Sequence, residues 1–220
     1  HKEYRRQRQM CIRDRGFCNM LFKLLEDAKS KENKQKPTHF VVIFDSARKN
    51  FRNDIYEDYK ANRSDAPDDL IPQFEYIRKS VEAFNIPAVE MINYEADDLI
   101  ATYSKQITKL GSDVTIVSSD KDLMQLYDKK VRIYDPMKNK FIKKEDVIAK
   151  FGVTSDKVID VQSLAGDSSD NVPGVPGIGV KTAAELINKF GSLEELLKNA
   201  ETIKQNLSLI HISEPTRPLY

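Results

Sequence analysis

The chain has 220 residues, 31% of them charged, with 35 Lys and Arg against 34 Asp and Glu. That length can bury a sizeable core, and the near-neutral balance requires any nucleic-acid surface to be a local patch. Two Cys with no CxxC pair and only three His exclude a zinc site of the usual kind and a disulfide scaffold, and fit a reducing cytoplasm. The apolar runs are strand-sized, too short to span a membrane, and no charged-then-apolar leader opens the chain.

Residues His1 to Arg15 are crowded with Arg and Gln and show no periodicity, and Leu207 to Tyr220 is equally foreign to what precedes it. Both read as sequence joined onto the domain, resembling translated sequencing-adapter read-through. From Gly16 onward, Phe17, Met20, Leu21, Leu24, Leu25 and Ala28 predict one face of a helix, closed by the polar run Ser30 to Lys36. Phe40 to Phe44 is a continuous apolar run of the kind buried on both faces of a parallel sheet, and Asp45 stands at its end. A basic and aromatic stretch follows: Arg48, Lys49, Phe51, Arg52, Tyr56, Tyr59, Lys60 and Arg63, diluted by Asp54, Glu57 and Asp58. By composition it is a solvated helix. Directly after Asp45, however, its cations could meet a phosphate backbone and its tyrosines could stack on bases. Asp54, Asp58, Asp68 and Asp69 read as surface acids.

Leu70, Phe74, Ile77, Val81 and Phe84 predict a second amphipathic helix, and Pro87 opens a short strand through Met91. Tyr94-Glu95-Ala96-Asp97-Asp98 then places three carboxylates at the start of a third helix. Leu99, Ile100, Tyr103, Ile107 and Leu110 give that helix its period, and Gly111 is its C-terminal cap. A strand is expected at Val114 to Val117, followed by Asp120 and Asp122, a short helix near Leu123 to Tyr127, and a strand at Val131 to Tyr134. This alternation predicts a parallel α/β sheet with its ligand crevice beyond the carboxyl ends of the strands, where Asp45 and Asp120 fall. After Phe151 short helices and turns predominate. Asp167 and Asp170 sit in a Gly/Ser/Asp loop, and Asn171 to Gly179 is too rich in Pro and Gly for a regular element. A helix from Lys181 follows. Gly174 and Gly179 have P-loop spacing, but Val180 intervenes before Lys181-Thr182, so this is not a Walker motif. Backbone amides at a helix start can still grip a phosphate without reading bases.

Eight acids in strand-end or helix-start positions would repel one another unless cations compensate them. Oxygen ligands without His or Cys select Mg²⁺ or Mn²⁺, and a pair of such ions is a standard device for phosphodiester hydrolysis.

Taken in order, several motifs carry a resemblance: Phe44-Asp45, Phe51-Arg52 through Tyr59-Lys60-Ala61-Asn62-Arg63, Tyr94 to Asp98, Ser119-Asp120-Lys121-Asp122, Gly166-Asp167-Ser168-Ser169-Asp170-Asn171, and Gly174 to Ala183. Over about Gly16 to Gln205 the chain resembles the 5′-nuclease domain at the amino end of bacterial DNA polymerase I, a relative of the flap endonucleases. The resemblance implies a PIN-like α/β fold with a parallel sheet and flanking helices over 16–164 and a helix–three-turn–helix module over 165–206, between tails at 1–15 and 207–220. It implies a 5′→3′ exonuclease and flap endonuclease that removes RNA primers and displaced flaps. By motif, Asp45, Glu95, Asp97, Asp98, Asp120, Asp122, Asp167 and Asp170 would hold two Mg²⁺ (or Mn²⁺). Lys60 and Arg63 would clamp the scissile phosphate, with Arg48, Arg52 and Tyr59 also meeting DNA. Gly174, Gly177, Ile178, Gly179, Lys181 and Thr182 would bind the duplex backbone, with a K⁺ ion.

The implied partners are DNA with a 5′ flap, nick or RNA primer and a C-terminal polymerase domain, and the implied state is a monomer in the cytoplasm at the nucleoid. Members of the family begin with a strand ending in a further ligand Asp. Here His1 to Arg15 stands in that place, and Asp14 is not assigned the role. A junction-binding fragment impaired in hydrolysis is therefore the alternative of a different class. An acidic metal phosphatase is a third reading, which would leave Arg48–Arg63 and Gly174–Thr182 without a use.

Overall fold

The structure, a computed structural model, describes residues 2–29, 36–68 and 70–199, with side chains from Arg15 onward. Asp69, the expected tail at 207–220 and most of the polar run after Lys29 lie outside the described residues. The chain divides into two compact units, one of residues 1–46 and 64–96, the other of 47–63 and 97 onward.

In the first unit, α1 spans Lys2–Lys29 and so begins well before Gly16. Its first half has no apolar stripe but is rich in Arg, Gln, Lys and Glu, whose unbranched side chains lose little freedom in a helix. The expected face does pack. Leu21, Val81 and Ile86 form a buried cluster with Phe17, Leu25, Phe40, Val42, Phe44 and Phe84 against it. The second helix, α3 (Ile71–Ala83), lies against α1. Its buried stripe runs through Gln73 and Val81, while Phe74, expected in the core, is exposed. The strand expected at 40–44 contracts to β1 (Val42–Ile43), paired in parallel with β2 (Ala88–Val89). With one partner strand among the described residues, β1 is half-buried rather than covered on both faces, and Val41 is exposed.

The second unit opens with α2 (Phe51–Ile55), capped by Asn50, whose side chain accepts the Arg52 N–H. Helix α4 (Ala96–Lys109) ends at Gly111, which adopts φ +92°, and Ser112 N–H reaches back to the Ile107 carbonyl. That is the glycine C-cap expected from the sequence. Strand β3 (Val114–Val117) pairs in parallel with β4 (Val131–Asp135), with Ile116 opposite Ile133. A strand outside the expected elements, β5 (Lys140–Ile142), runs antiparallel to β4 at the edge of this sheet. The described residues thus contain a two-stranded and a three-stranded sheet, with parallel pairing in each.

Helices α5 (Lys144–Phe151), α6 (Val158–Ala165), α7 (Val180–Phe190) and α8 (Leu193–Lys198) follow among the described residues. One continuous core runs from Ile116 and Ile133 of the sheet through Val147, Val158, Val161 and Leu164 to Ala183, Ile187 and Leu196. The glycine-rich turn is therefore anchored to the same core as the strand that delivers Asp120. Among the described residues no helix is long and apolar enough to cross a membrane.

Candidate metal centre and nucleic-acid interface

In the first unit, Asp45 follows β1 by two residues, and its Oδ1 accepts the Ala96 N–H at 2.7 Å. Asp45 thus satisfies an otherwise orphan donor at the start of α4. Glu95, just ahead of that helix, is 9% exposed. Arg78 donates to the Asp45 carbonyl at 3.3 Å and to Glu90, and its guanidinium lies 4.6 Å from the Phe44 ring.

In the second unit, Asp97 and Asp98 occupy the first turn of α4. Asp98 receives a bidentate pair from Arg52, at 2.9 and 2.7 Å. Arg52 is 8% exposed and Tyr59 5% exposed, so these two residues, expected to meet DNA, point into the protein instead. Composition gave a solvated helix for this stretch; only Phe51–Ile55 is helical, and Asp54 and Asp58 are exposed as expected.

The loop after β3 folds on itself. Asp120 N–H donates to Ser118 Oγ at 3.1 Å, and Asp122 N–H to Asp120 Oδ1 at 2.9 Å. Lys121 Nζ lies 2.5 Å from Asp167 Oδ2 and 4.0 Å from Asp122 Oδ1. Asp122 also accepts from Gln162 Nε2 at 2.6 Å. Burial pushes the Asp122 carboxyl above its ordinary range, and the charges of Asp120 and Asp167 push the same way. At Asp167 burial acts upward too, but the Lys121 hydrogen bond and the Ser169 amide outweigh it and hold the group below its ordinary value.

Asp170 gathers the segment around Lys60. Tyr59 OH donates to its Oδ2 at 3.2 Å, Lys60 Nζ lies 3.6 Å from the same oxygen, and Arg63 pairs with Oδ1. Lys60 itself adopts φ +57°, with its N–H on the Asp170 carbonyl at 2.8 Å. Asn62 donates to the Ser168 carbonyl and Asn171 to the Asp58 carbonyl, each at 2.8 Å. Arg48 bonds the Arg63 carbonyl.

In the glycine-rich turn, Gly174 packs on the backbone of Ala165 and Gly166, while a Cβ at Gly177 or Gly179 would meet open space. Ile178 is buried beneath the turn; Lys181 is exposed and Thr182 half-buried in the first turn of α7.

Among the described residues no group of three or more His, Cys, Asp or Glu converges as a metal site. Cationic side chains take the carboxylates instead: Lys121 on Asp167, Arg52 on Asp98, Arg63 on Asp170. The donor chemistry nevertheless fits a hard divalent cation. Asp120, Asp122 and Asp167 offer only oxygen, the charges of Asp120 and Asp167 raise the proton affinity of Asp122, and the Lys121 ammonium beside Asp122 and Asp167 marks where positive charge is favoured.

Two residues absent from the sequence reading support this loop. One is Gln162. The other is Asp135, 2% exposed, which accepts from Ser119 Oγ at 2.6 Å and from the Met137 and Lys138 amides at 3.0 and 3.2 Å. The Ser119 hydrogen bond is the main cause holding the Asp135 carboxyl down at about 2. Its folded pKa lies below the ordinary 3.8, so its contribution is complete above about pH 4 and is lost as pH falls through about 2. Asp135→Asn is expected to cost about 2 kcal/mol at neutral pH, the scale of hydrogen bonds to a charged group. Urea unfolding against pH should show that gap closing by pH 2; a gap that persists there would rule the carboxylate's charge out as its source.

A family model for the 5′-3′ exonuclease N-terminal resolvase-like domain matches residues 4–152, and one for the 5′-3′ exonuclease C-terminal SAM fold matches 153–214. With that two-part architecture, the chain belongs to the 5′-3′ exonuclease family. It is 57% identical over 190 residues to a DNA polymerase I of Rhizobium leguminosarum, covering 86% of this chain and 19% of that protein. It is 42% identical to a 5′-3′ exonuclease of Aquifex aeolicus, covering 86% of this chain and 63% of that one. The chain thus spans less than two thirds of either relative. In fold it is similar to the T5 5′-exonuclease solved with bound divalent metal ions (zinc), with a TM-score of 0.73 at 23% identity over 90% of this chain and 74% of that one. It is equally similar to the bacteriophage T5 flap endonuclease solved with DNA and metal ions, at TM-score 0.73 and 22% identity, with the same coverage of both chains.

Proposed function

We propose that this chain is a divalent-metal-dependent, structure-specific 5′ nuclease, cutting DNA near a 5′ flap or nick and removing RNA primers. The observation that carries the reading is the oxygen-only pair of Asp122 and Asp167 about the Lys121 ammonium, with Asp120 bonded to the Asp122 amide, in a chain that belongs to the 5′-3′ exonuclease family. Asp45, Glu95, Asp97, Asp98, Asp120, Asp122, Asp167 and Asp170 are the residues that would hold Mg²⁺ or Mn²⁺. When bound, such ions supply the Lewis acidity that phosphodiester hydrolysis needs.

The protein's own residues do the rest. Arg48, Lys60 and Arg63 meet the substrate's phosphates, and Lys60 and Arg63 exchange their hold on Asp170 for the nucleic acid. Arg52 and Tyr59, being buried, orient Asp98 and Asp170 rather than touch a base. The turn from Gly174 through Gly177, Ile178 and Gly179 to Lys181 and Thr182 presents backbone amides at the start of α7 to a duplex phosphate, with K⁺ a candidate companion. The reading makes the chain a monomer acting at the nucleoid in the cytoplasm, and the nuclease portion of a longer protein, with a polymerase domain as in the Rhizobium leguminosarum relative or without one as in a standalone exonuclease.

The test is cleavage of a labelled 5′-flap duplex with and without Mg²⁺. A Mg²⁺-dependent cut near the junction is expected. Flap binding without any cut would favour the junction-binding alternative, and hydrolysis of small phosphate esters with no dependence on salt would favour a phosphatase.

A further inference from the structure

We infer that Gln162 is a positioning residue that holds Asp122 for a divalent cation, an inference that rests on the metal-dependent reading above. Gln162 lies on α6 among Val158, Val161 and Leu164, each 1% exposed or less, and is itself 6% exposed. An apolar side chain would fill that space at no polar cost. The amide instead donates Nε2 to Asp122 Oδ1 at 2.6 Å, forty residues away in sequence, while its Oε1 is buried with no hydrogen-bond partner. A buried amide with part of its hydrogen bonding unmet is destabilising, because the group has given up water without a replacement. Packing alone does not account for it.

The partner also matters. Asp167 and Asp170 are held by ammonium and guanidinium groups, which cancel their charge. Asp122 is held most closely by a neutral donor, with Lys121 farther off at 4.0 Å. A neutral hydrogen bond fixes a carboxylate's orientation and leaves its full negative charge for an incoming cation, as outer-sphere partners of metal ligands do. The backbone of Gln162 is equally fixed, since its carbonyl accepts the Gly166 N–H at 2.7 Å, where the loop carrying Asp167 begins.

The experiment is calorimetric titration of the whole chain with Mn²⁺, which does not depend on nuclease activity. Gln162→Leu is expected to raise the Mn²⁺ dissociation constant about tenfold, the scale of outer-sphere losses at metal sites. Thermal unfolding in EDTA should hardly move. Ser163→Ala, on the same helix with its hydroxyl on the Ile159 carbonyl at 2.8 Å, should bind Mn²⁺ like the wild type. If the Leu variant does not fold, Gln162→Met replaces it along the same unbranched path. Wild-type affinity in a folded Gln162 variant overturns the inference and leaves the metal reading standing. An equal loss in Ser163→Ala also overturns it, assigning the effect to the helix as a whole. A wild type that takes up no Mn²⁺ overturns both.

Discussion

Arg52→Ala is expected to destabilise the second unit by about 3 kcal/mol, the low end of the range for removing one partner of a buried ion pair. The Arg52 side chain is 10% exposed and that of Asp98 21%, so the pair is mostly but not wholly withdrawn from solvent. The two parallel hydrogen bonds tie α2 to the first turn of α4 across 46 residues of sequence. The guanidinium also lies 4.6 Å from the Phe51 ring and 5.9 Å from that of Tyr59, so truncation removes packing together with charge. Arg52→Lys should fall between wild type and alanine, because an ammonium keeps the charge but cannot make the fork. The measurement is urea unfolding in EDTA, with Asp98→Asn and the double variant completing a cycle. A coupling near zero, or a loss under about 1 kcal/mol, would show the pair to be incidental.

How far the sequence could foresee this depends on the range of the interaction. Helix α4 was legible because its apolar period and Gly111 are local, and β3 and β4 because a β-branched run bounded by acids and turns is local too. The segment around Lys60 was not. Its helix is five residues long, and what orders the remainder is Asp170, Ser168 and Asn171, more than a hundred positions away. An acid's type could be read, but not the cation opposite it. Along α3 the expected Val81 is buried, but Gln73 is buried beside it while Phe74 is exposed, since which neighbour of a periodic position turns inward is decided by the helix it packs on. Gln162 did leave a signal: it is the one amide on an α6 face otherwise made of Val158, Val161 and Leu164. A polar residue on a buried stripe needs a partner, and that partner lies in the acidic loop.

Gly174→Ala is expected to cost about 3 kcal/mol, at the upper end of the overpacking range. A Cβ at Gly174 would sit 2.3 Å from the Ala165 carbonyl carbon and oxygen and 2.5 Å from Gly166 N. All three are backbone atoms, so no side chain can swing aside. The crossing is mutual, since a Cβ at Gly166 would meet Gly174 N at 2.3 Å and the Val172 oxygen at 2.6 Å. Between these two glycines the chain closes a loop, with Asp167 and Val172 exchanging backbone hydrogen bonds at 2.9 and 2.8 Å and Val175 N–H on the Leu164 carbonyl at 2.8 Å. That loop carries Asp167 and Asp170. Separating its two ends would shift both acids from Lys121 and Arg63, so a weakened Mn²⁺ affinity should accompany the stability loss. Gly179→Ala, five residues on, provides the contrast. Its φ of −91° suits alanine and its Cβ would meet nothing within 4 Å, so only the modest preference for Gly over Ala at a helix N-cap, about 1 kcal/mol or less, is at stake. If the alanine does face a duplex phosphate, it should weaken DNA binding while unfolding stays near wild type. Equal stability of Gly174→Ala and wild type would mean that the two backbones do not touch in solution, and the close crossing would lose its role in placing the acids.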